Sequence, residues 1–272
     1  MLPWHVENEV DDEPRPADFS YLDRVRAEPG AEEVGCECGA TCGPACPCAA
    51  QHPWGHLYGA DGCLVPLQLG IDIDVLLQEC GPGCSCRGTC APPPAHQESP
   101  VHIRRIPRKG WGVIADCNIP CGAFVCEYVG ERVTTAEAWR RLRDYDAAGR
   151  AHALLVFREI LPSQTAALRI NIDATRQGNV AAFINHRHGG QRVPAAPPSP
   201  CSCDGGNLIL LAVLPRGCMV PSLRLFARRS IEAGEELTYS YGTPAGGHPS
   251  RVQAPCLCGT PACRGFLPRD PA

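Results

Sequence analysis

The sequence is poor in aromatic residues and in long hydrophobic runs. Aromatic residues make up 6% of its 272 residues, whereas glycine and proline number 28 each, and this composition indicates a loop-rich protein built from short elements. The longest clearly apolar run, 208–214, is far too short to span a bilayer. The N-terminus has no basic start, no apolar stretch and no small-residue cleavage site, so we expect no secretory signal and no membrane association. Thiols in such a chain are expected to stay reduced.

An excess of positive charge is also missing. The chain has 29 acidic and 25 basic residues and a formal charge of −4, and metal-bound thiolates would make the folded protein more negative. An acidic protein is a poor partner for a polyanion but a suitable host for a basic peptide. We therefore expect no direct sequence-specific binding of DNA.

Cysteine, in contrast, is abundant. Most of the 19 cysteines fall into three clusters of five, four and three, whose neighbours are mostly separated by one or three residues. Thiols at this spacing can point at one metal ion, which favours tetrahedral zinc sites over disulfide pairs; a disulfide-rich secreted module is the alternative. The first two clusters could bind three zinc ions only if some sulfurs bridge two ions. The predicted ligands of the three clusters are Cys36, Cys38, Cys42, Cys46, Cys48, Cys80, Cys84, Cys86, Cys90, Cys256, Cys258 and Cys263.

Five further cysteines lie outside these clusters and are not expected to bind metal. Cys63 stands alone in its spacing and is interpreted as a spare thiol. The other four lie in or beside apolar runs, which favours their burial as small hydrophobic side chains. They are Cys117, Cys121, Cys126 and Cys218.

The chain divides into four parts by composition and motif content. Residues 1–34 are polar and acidic and are predicted to form a flexible lead-in. Residues 35–100 hold the first two cysteine clusters and end in a proline-rich connector. Residues 101–242 contain short β-type runs interrupted by glycine and proline, and residues 243–272 gather around the third cysteine cluster.

The hydrophobic pattern predicts a mostly β protein with few helices rather than alternating βαβ units. Thr134 and Glu137 fit a capping box that begins a helix ending near residue 148. The predicted strands cover residues 101–106, 111–115, 123–128, 154–160, 169–172, 208–214 and 223–227.

The order of these motifs resembles one protein family. The block of five plus four cysteines resembles the pre-SET region of the Suv39-like SET-domain lysine methyltransferases, and the third cluster is similar to their post-SET zinc site. Within the family, residues 263–268 and 219–221 look most similar to the SET half of SET–mariner transposase fusions. The resemblance implies a SET-domain β-clip fold with a knot-like core, between a zinc-cluster pre-SET region and a post-SET zinc loop. The SET-domain motifs are similar to residues 109–112, 124–131, 173–186 and 234–241.

The resemblance implies transfer of a methyl group from S-adenosylmethionine to a lysine ε-amine of the histone H3 tail. Tyr241 would direct its hydroxyl at the reacting centre, and Tyr128 would line an apolar channel that lowers the pKa of the lysine ammonium. Tyr239 stands where the family has phenylalanine or tyrosine, and a tyrosine there implies mono- or dimethylation. The cofactor-binding residues that the resemblance implies are Lys109, Gly110, Trp111, Asn185 and His186.

The same resemblance implies metals, a partner and a location. It implies three structural zinc ions in the pre-SET cluster and one in the post-SET site. The expected partner is the histone H3 tail or the nucleosome, so the expected location is the nucleus and its chromosomes. The target lysine stays open between position thirty-six of H3, suggested by the transposase-fusion member, and position nine, suggested by the broader group.

One segment departs from the family pattern directly after the asparagine–histidine pair. The family continues with a small residue and then the cysteine that is the fourth post-SET zinc ligand, whereas this chain has a 15-residue insertion, residues 187–201. Cys203 is the displaced cysteine and the favoured fourth ligand, while His188 occupies the unshifted position and is its rival. Ala153 also stands near the position of a cofactor-contacting tyrosine. The alternative function is therefore a catalytically weakened relative, a zinc-stabilised module that binds chromatin tails or partner proteins.

Overall fold

The computed structural model describes most of the chain, in separate segments. These segments are residues 2–23, 35–39, 42–43, 45–71, 73, 76–81, 83–86, 100–149, 151–160, 167–187, 206–241, 255–260, 263 and 265–267.

The described segments are mostly β, which confirms the predicted fold class, and they contain no helix long and apolar enough to cross a membrane. The helices are α1 (Val65–Gln68), α2 (Thr135–Ala147) and a 3₁₀ helix (Val180–Phe183). The strands are β1 (Val6–Glu7), β2 (Ser20–Tyr21), β3 (Leu77–Glu79), β4 (Val101–Ile106), β5 (Gly110–Ala115), β6 (Phe124–Glu127), β7 (Glu131–Arg132), β8 (Leu154–Ile160), β9 (Ala167–Asp173), β10 (Gln177–Gly178), β11 (Asn185–His186), β12 (Leu208–Pro215), β13 (Ser222–Ala227) and β14 (Glu236–Tyr239).

The described strands form four sheets that join distant parts of the chain. The largest has the order β1-β4-β5-β14-β11, and a four-stranded sheet has the order β3-β12-β13-β6. A third sheet has the order β7-β9-β8, and β10 pairs with β2. Consecutive strands pair in β4–β5, β8–β9 and β12–β13, but β5 also lies beside β14 and β12 beside β3, so pairing between sequence neighbours alone does not build these sheets.

The seven strands predicted from the sequence are confirmed, and their bounds move by at most two residues. Their hydrophobic side chains form the main core, which draws on residues from three of the sheets. Ile103, Val113, Leu225 and Leu237 are completely buried there. A second cluster around Phe226 packs residues of the cysteine-rich region against β12 and β13. The core therefore supports β14, the strand that precedes Tyr241.

The first segment of the chain differs from the predicted flexible lead-in. Strand β1 pairs in parallel with β4, and β2 pairs in parallel with β10. Val6 is buried in the main core, and the ring of Phe19 lies 4.9 Å from that of Phe183. A two-residue strand is too short to show a hydrophobic period. A few apolar side chains in a polar segment are therefore enough to hold it against the sheet.

Helix α2 begins where the sequence predicted. The Thr134 side chain accepts a hydrogen bond from the backbone N–H of Glu137, at 3.3 Å. The Glu137 carboxylate instead accepts hydrogen bonds from Arg140 and Arg141, which lower its pKa to about 2. The Thr134 half of the predicted capping box is thus observed, whereas the Glu137 side chain pairs with two arginines of the same helix.

A buried ion pair joins the cysteine-rich region to the four-stranded sheet. The Arg224 guanidinium on β13 donates two hydrogen bonds to the Glu79 carboxylate on β3, at 2.7 and 2.9 Å. The Tyr58 hydroxyl donates to the same carboxylate at 3.1 Å. The Arg224 and Glu79 side chains are only 13% and 8% exposed. Neither charge can be left without its partner except at a large cost in desolvation.

We expect Arg224→Met to destabilise the protein by about 3–5 kcal/mol, because it leaves the Glu79 carboxylate buried without its countercharge. The double variant Arg224→Met with Glu79→Gln should recover much of this loss. Arg229→Met is the matched control, since Arg229 pairs with Glu235 at a more exposed position, where a pair contributes about 1 kcal/mol or less. Urea unfolding of the three variants and of the unchanged protein gives the free energy of unfolding of each. Equal stability of the Arg224 and Arg229 variants would contradict this role of the pair.

Candidate active site and metal centres

The first two cysteine clusters meet in one packed group. Eight of the nine predicted thiols are described, all eight belong to a single cluster of buried and half-buried side chains, and Cys90 lies outside the described residues. Two sets of four sulfurs can be defined, and within each set all four sulfurs lie within 4.8 Å of one another. The sets are Cys36, Cys48, Cys80 and Cys84, and Cys36, Cys42, Cys46 and Cys80.

The separations between these sulfurs fit zinc. Cys36 Sγ lies 3.6 Å from Cys42 Sγ, and Cys80 Sγ lies 3.9 Å from Cys42 Sγ. Cys48 Sγ and Cys84 Sγ are also 3.9 Å apart. A tetrahedron with Zn–S bonds of about 2.3 Å has edges of about 3.8 Å. Both sets contain Cys36 and Cys80, the arrangement expected if sulfurs bridge metal ions.

The third cluster forms a separate group of three ligands. The sulfurs of Cys256, Cys258 and Cys263 lie within 4.8 Å of one another. Three sulfurs leave one position of a tetrahedral zinc site for another ligand. Both candidates for that position, Cys203 and His188, lie outside the described residues, as does the insertion after Arg187.

The cysteines outside the clusters are only partly buried as expected. Cys63 and Cys126 are buried, and desolvation raises the pKa of Cys63 to about 11, which suits an inert thiol. Cys121 and Cys218 are half-buried. Cys117 is exposed, so its predicted burial was wrong: it lies just beyond the end of β5, where the apolar run has already left the core.

Three sequence motifs become neighbours through strand pairing. Strand β11 runs parallel to β14, which places Asn185 beside Thr238 and His186 beside Tyr239. Strand β14 in turn pairs with β5, and Glu236 lies opposite Ile114. The strand that follows Lys109, the asparagine–histidine pair and the strand that leads to Tyr241 therefore lie side by side.

The three predicted catalytic tyrosines form one group. The rings of Tyr239 and Tyr241 are 4.8 Å apart. Tyr128 and Tyr239 are each 3% exposed, whereas Tyr241 is 38% exposed. The Tyr241 hydroxyl donates to the Ile184 carbonyl at 2.8 Å, and the Tyr128 hydroxyl donates to the Ala153 carbonyl at 2.8 Å.

The surroundings of these tyrosines keep their hydroxyls neutral. Desolvation is the largest cause that raises the pKa of all three, and nearby ionisable groups add to it. Tyr241 and Asp173 act on Tyr128 in this way, and Glu236 acts on Tyr241. Because the ordinary pKa of tyrosine is already about 10, the group offers hydroxyl donors rather than phenolates at neutral pH.

His186 connects the asparagine–histidine pair to the last tyrosine. The backbone N–H of Tyr241 donates to His186 Nδ1 at 3.1 Å, and the two rings lie 5.0 Å apart. A neutral imidazole that accepts at Nδ1 carries its proton on Nε2. His186 is buried, so in the described residues it acts as a support for the backbone that carries Tyr241.

Asn179 is a functional candidate to which the sequence analysis gave no role. Its side chain donates to the Glu127 carbonyl at 2.8 Å and accepts from the Val129 N–H at 3.4 Å. These two bonds hold the main chain on both sides of Tyr128. The Gly178-Asn179 motif was a signal in the sequence, but this contact spans about fifty residues and no local pattern indicates it.

Ala153 lies near the position where the family is expected to have a cofactor-contacting tyrosine. It has no ring to offer a cofactor, and its carbonyl accepts both the Tyr128 hydroxyl and the Ala174 N–H, at 2.8 and 3.0 Å. The Thr175 hydroxyl accepts from the Ala153 N–H at 3.1 Å. The position therefore supports the tyrosine group through its backbone.

The predicted cofactor motif begins at the last residue of the turn between β4 and β5 and continues into β5. Gly110 has φ +92, a left-handed conformation that glycine adopts without strain. The Trp111 ring stacks under the Arg105 guanidinium at 5.4 Å, while its carbonyl accepts from Asn185 at 3.2 Å. A Cβ at Gly112 would come within 3.0 Å of Asn185 Nδ2. The bare backbone at the turn and the neighbouring Asn185 amide suit close approach by a polar ligand such as S-adenosylmethionine.

Comparisons with known proteins agree with this arrangement. The SET domain family model matches residues 110–242, and the Pre-SET motif model matches residues 1–92. The chain is 38% identical to the histone-lysine N-methyltransferase SUVR3 of Arabidopsis thaliana, over 96% of this chain and 66% of that protein. It is 30% identical to human SUV39H2, over 96% of this chain and 62% of that protein. The chain thus spans slightly less than two thirds of these relatives.

Solved structures of SET-domain methyltransferases also match this chain. The methyltransferase domain of human SETMAR matches with a TM-score of 0.70 and 25% identity, over 100% of this chain and 97% of that one. The Neurospora SET domain protein DIM-5 matches with a TM-score of 0.66 and 25% identity, over 93% and 100% of the two chains. The chain belongs to the SET-domain family, in the Suv39-like group that carries a pre-SET region.

Proposed function

We propose that this protein is a lysine N-methyltransferase that uses S-adenosylmethionine and acts on the histone H3 tail. The observation that carries the proposal is the convergence of Tyr128, Tyr239 and Tyr241 beside the Asn185-His186 strand. Relatives support it, because SUVR3 and SUV39H2 are named histone-lysine N-methyltransferases. A plant SUVH6 structure in complex with S-adenosylmethionine also matches, with a TM-score of 0.72, 28% identity and coverage of 96% of this chain and 52% of that one.

The chain's own residues would align the amine and keep it uncharged. S-adenosylmethionine, when bound, supplies an electrophilic methyl group. Lys109, Gly110 and Trp111, with Asn185 and His186, would hold it where the start of β5 and strand β11 flank β14 in the largest sheet. The tyrosine group lies next to these residues, and the buried rings of Tyr128 and Tyr239 exclude water, which favours the neutral form of a lysine amine.

The cysteine centres would be structural. Zinc in a full set of four thiolates has no open position for a substrate, so it stabilises the fold rather than catalysing a reaction. The eight described pre-SET ligands, with Cys90, would hold three ions through shared sulfurs. Cys256, Cys258 and Cys263, with Cys203 as the favoured fourth ligand, would hold another beside Tyr241.

We infer that the target is lysine nine of H3 rather than lysine thirty-six. A Schizosaccharomyces pombe relative that is 29% identical carries the name H3 lysine-9 specific. The structure of KRYPTONITE with an H3(1–15) peptide also matches, with a TM-score of 0.69 and 27% identity over 96% of this chain. The net charge of −4 suits a basic tail. A histone substrate would place the protein on chromosomes in the nucleus.

Methyl transfer to two H3 peptides tests the proposal. Purified protein is incubated with labelled S-adenosylmethionine and with peptides that contain lysine nine or lysine thirty-six, each paired with a peptide in which that lysine is alanine. We expect label only in the lysine-nine peptide. Cofactor binding without transfer would instead favour the weakened module that Ala153 and the insertion of residues 187–201 suggest.

Tyr239→Phe is expected to raise the degree of methylation. The Tyr239 hydroxyl is buried in the tyrosine group, where it can hold a water or the amine and limit the space for further methyl groups. Mass spectrometry of the peptide should show mono- and dimethyl-lysine with the unchanged protein and trimethyl-lysine with the variant. An identical product distribution would contradict the role of this hydroxyl. Tyr58→Phe, in the other hydrophobic cluster, is the matched control.

A further inference from the structure

We propose that Glu236 is a positioning residue for the cofactor site, acting through Asn185, with its charge balanced by Lys109. The inference rests on the proposed function, because the ligand concerned is S-adenosylmethionine. Glu236 was not among the residues assigned from the sequence. Its two carboxylate oxygens accept hydrogen bonds from two residues of the predicted cofactor site, Asn185 and Lys109. These two bonds are the reason to assign it a positioning role.

The Asn185 amide is oriented by two acceptors. Its Nδ2 donates to Glu236 Oε1 at 3.0 Å and to the Trp111 carbonyl at 3.2 Å. Because an amide nitrogen has two hydrogens, both are used, and the amide oxygen must face the other way. Glu236 therefore decides which end of Asn185 a ligand meets, and it presents an acceptor.

Lys109 is the only lysine in the sequence; every other basic residue apart from histidine is arginine. Its Nζ lies 2.6 Å from Glu236 Oε2, and the two side chains are only 20% and 21% exposed. Lys109 donates to one carboxylate oxygen and Asn185 to the other, so each oxygen of Glu236 has its own donor. The lysine thus helps to fix the orientation in which the carboxylate accepts from Asn185.

The network is closely packed against Gly112 and is supported from its own strand. A Cβ at Gly112 would lie 3.0 Å from Asn185 Nδ2 and 3.3 Å from Glu236 Oε1. Asn207 fixes the strand that carries Glu236, since it donates to the Glu236 carbonyl at 3.0 Å and accepts from the Thr238 N–H at 2.8 Å. These bonds fix the backbone that carries Glu236, and its side-chain partners then fix the carboxylate.

Glu236→Gln tests the proposal. Glutamine keeps the shape of glutamate but has one acceptor and one donor, so it must turn a donor toward either Asn185 or Lys109. Calorimetry with S-adenosylhomocysteine should show an affinity about tenfold lower, the effect of one hydrogen bond to a charged group. In kinetics, KM for the cofactor should rise about as much, while KM for the peptide stays within about twofold.

Glu235→Gln is the matched control, because the neighbouring glutamate pairs with Arg229 instead and has no contact with Asn185 among the hydrogen bonds of the described residues. Its cofactor affinity should equal that of the unchanged protein. Lys109→Met should lose part of the affinity, and Lys109→Arg, which keeps the positive charge, should lose less. An affinity of Glu236→Gln equal to that of Glu235→Gln would overturn the inference and leave the proposed function intact.

A measurement that leaves Glu236 in place covers the case in which Glu236→Gln fails to fold. Reductive methylation with ¹³C-formaldehyde labels Lys109 and the N-terminal amine, because the chain has no other lysine. The Lys109 resonance should shift when S-adenosylhomocysteine binds, and Lys109→Arg identifies it by its disappearance. A resonance unmoved at saturating ligand would overturn the inference. Failure of the unchanged protein to bind the ligand would overturn the proposed function as well.

Discussion

Cys36→Ser is expected to remove zinc from the cysteine-rich region and to unfold it. Cys36 belongs to both four-sulfur sets, so one substitution opens two metal sites. Structural zinc in small peptides contributes about 10–16 kcal/mol to folding, which is comparable to the whole stability of a typical domain, about 5–15 kcal/mol. The variant should bind at least one zinc ion fewer per chain and melt more than about 10 °C lower.

The loss should spread beyond the cysteines. Strand β3 pairs with β12, and Glu79 on β3 is bonded to Arg224 on β13. An unfolded cysteine-rich region would leave these partners of the four-stranded sheet exposed. We therefore expect methyl transfer by Cys36→Ser to fall together with its stability, although Cys36 is remote in sequence from the tyrosines.

Cys117→Ser is the matched control, because Cys117 is exposed and lies outside both four-sulfur sets. It should keep the zinc content and melting temperature of the unchanged protein. Elemental analysis for zinc and thermal unfolding, measured on the same preparations, give the two quantities. A Cys36→Ser protein with full zinc content would show that the shared sulfurs are not bridging ligands.

The sequence was informative where structure is local. The helix start at Thr134 and the seven main strands depend on side-chain patterns within a few residues, and both are found. The cysteine spacing likewise predicted that neighbouring thiols lie close together, because short loops limit how far their sulfurs can separate. Which sulfurs the two sets share depends on how Cys80 folds back onto Cys36, and spacing alone does not determine that.

What the sequence did not predict depends on contacts between distant residues. Asn179 reaches Glu127, and Glu236 reaches Asn185, across about fifty residues each. The pairing of β1 with β4 crosses more than ninety residues. Such contacts form when buried polar groups must find partners in the folded chain. They are the bonds that orient the candidate site, and no local pattern in the sequence indicates them.

Tyr241→Phe is expected to abolish most methyl transfer while it leaves the fold and cofactor binding intact. The substitution removes one hydroxyl, which donates to the Ile184 carbonyl, and keeps the ring that packs against Tyr239 and His186. The stability loss should be about 1 kcal/mol, that of a single hydrogen bond. The rate should fall about 10²-fold or more, the usual effect of losing a positioned donor at a reacting centre.

Three measurements separate this role from plain packing. kcat should fall, the affinity for S-adenosylhomocysteine should stay within about threefold, and the loss should be the same at neutral pH and at about pH 9. The third expectation follows because desolvation of the Tyr241 hydroxyl raises its pKa above the ordinary value, so the hydroxyl stays protonated throughout. Tyr58→Phe removes a buried hydroxyl that donates to Glu79, and it should lose stability without the fall in kcat. Equal rates for the two variants would mean that Tyr241 supports the site only as a ring.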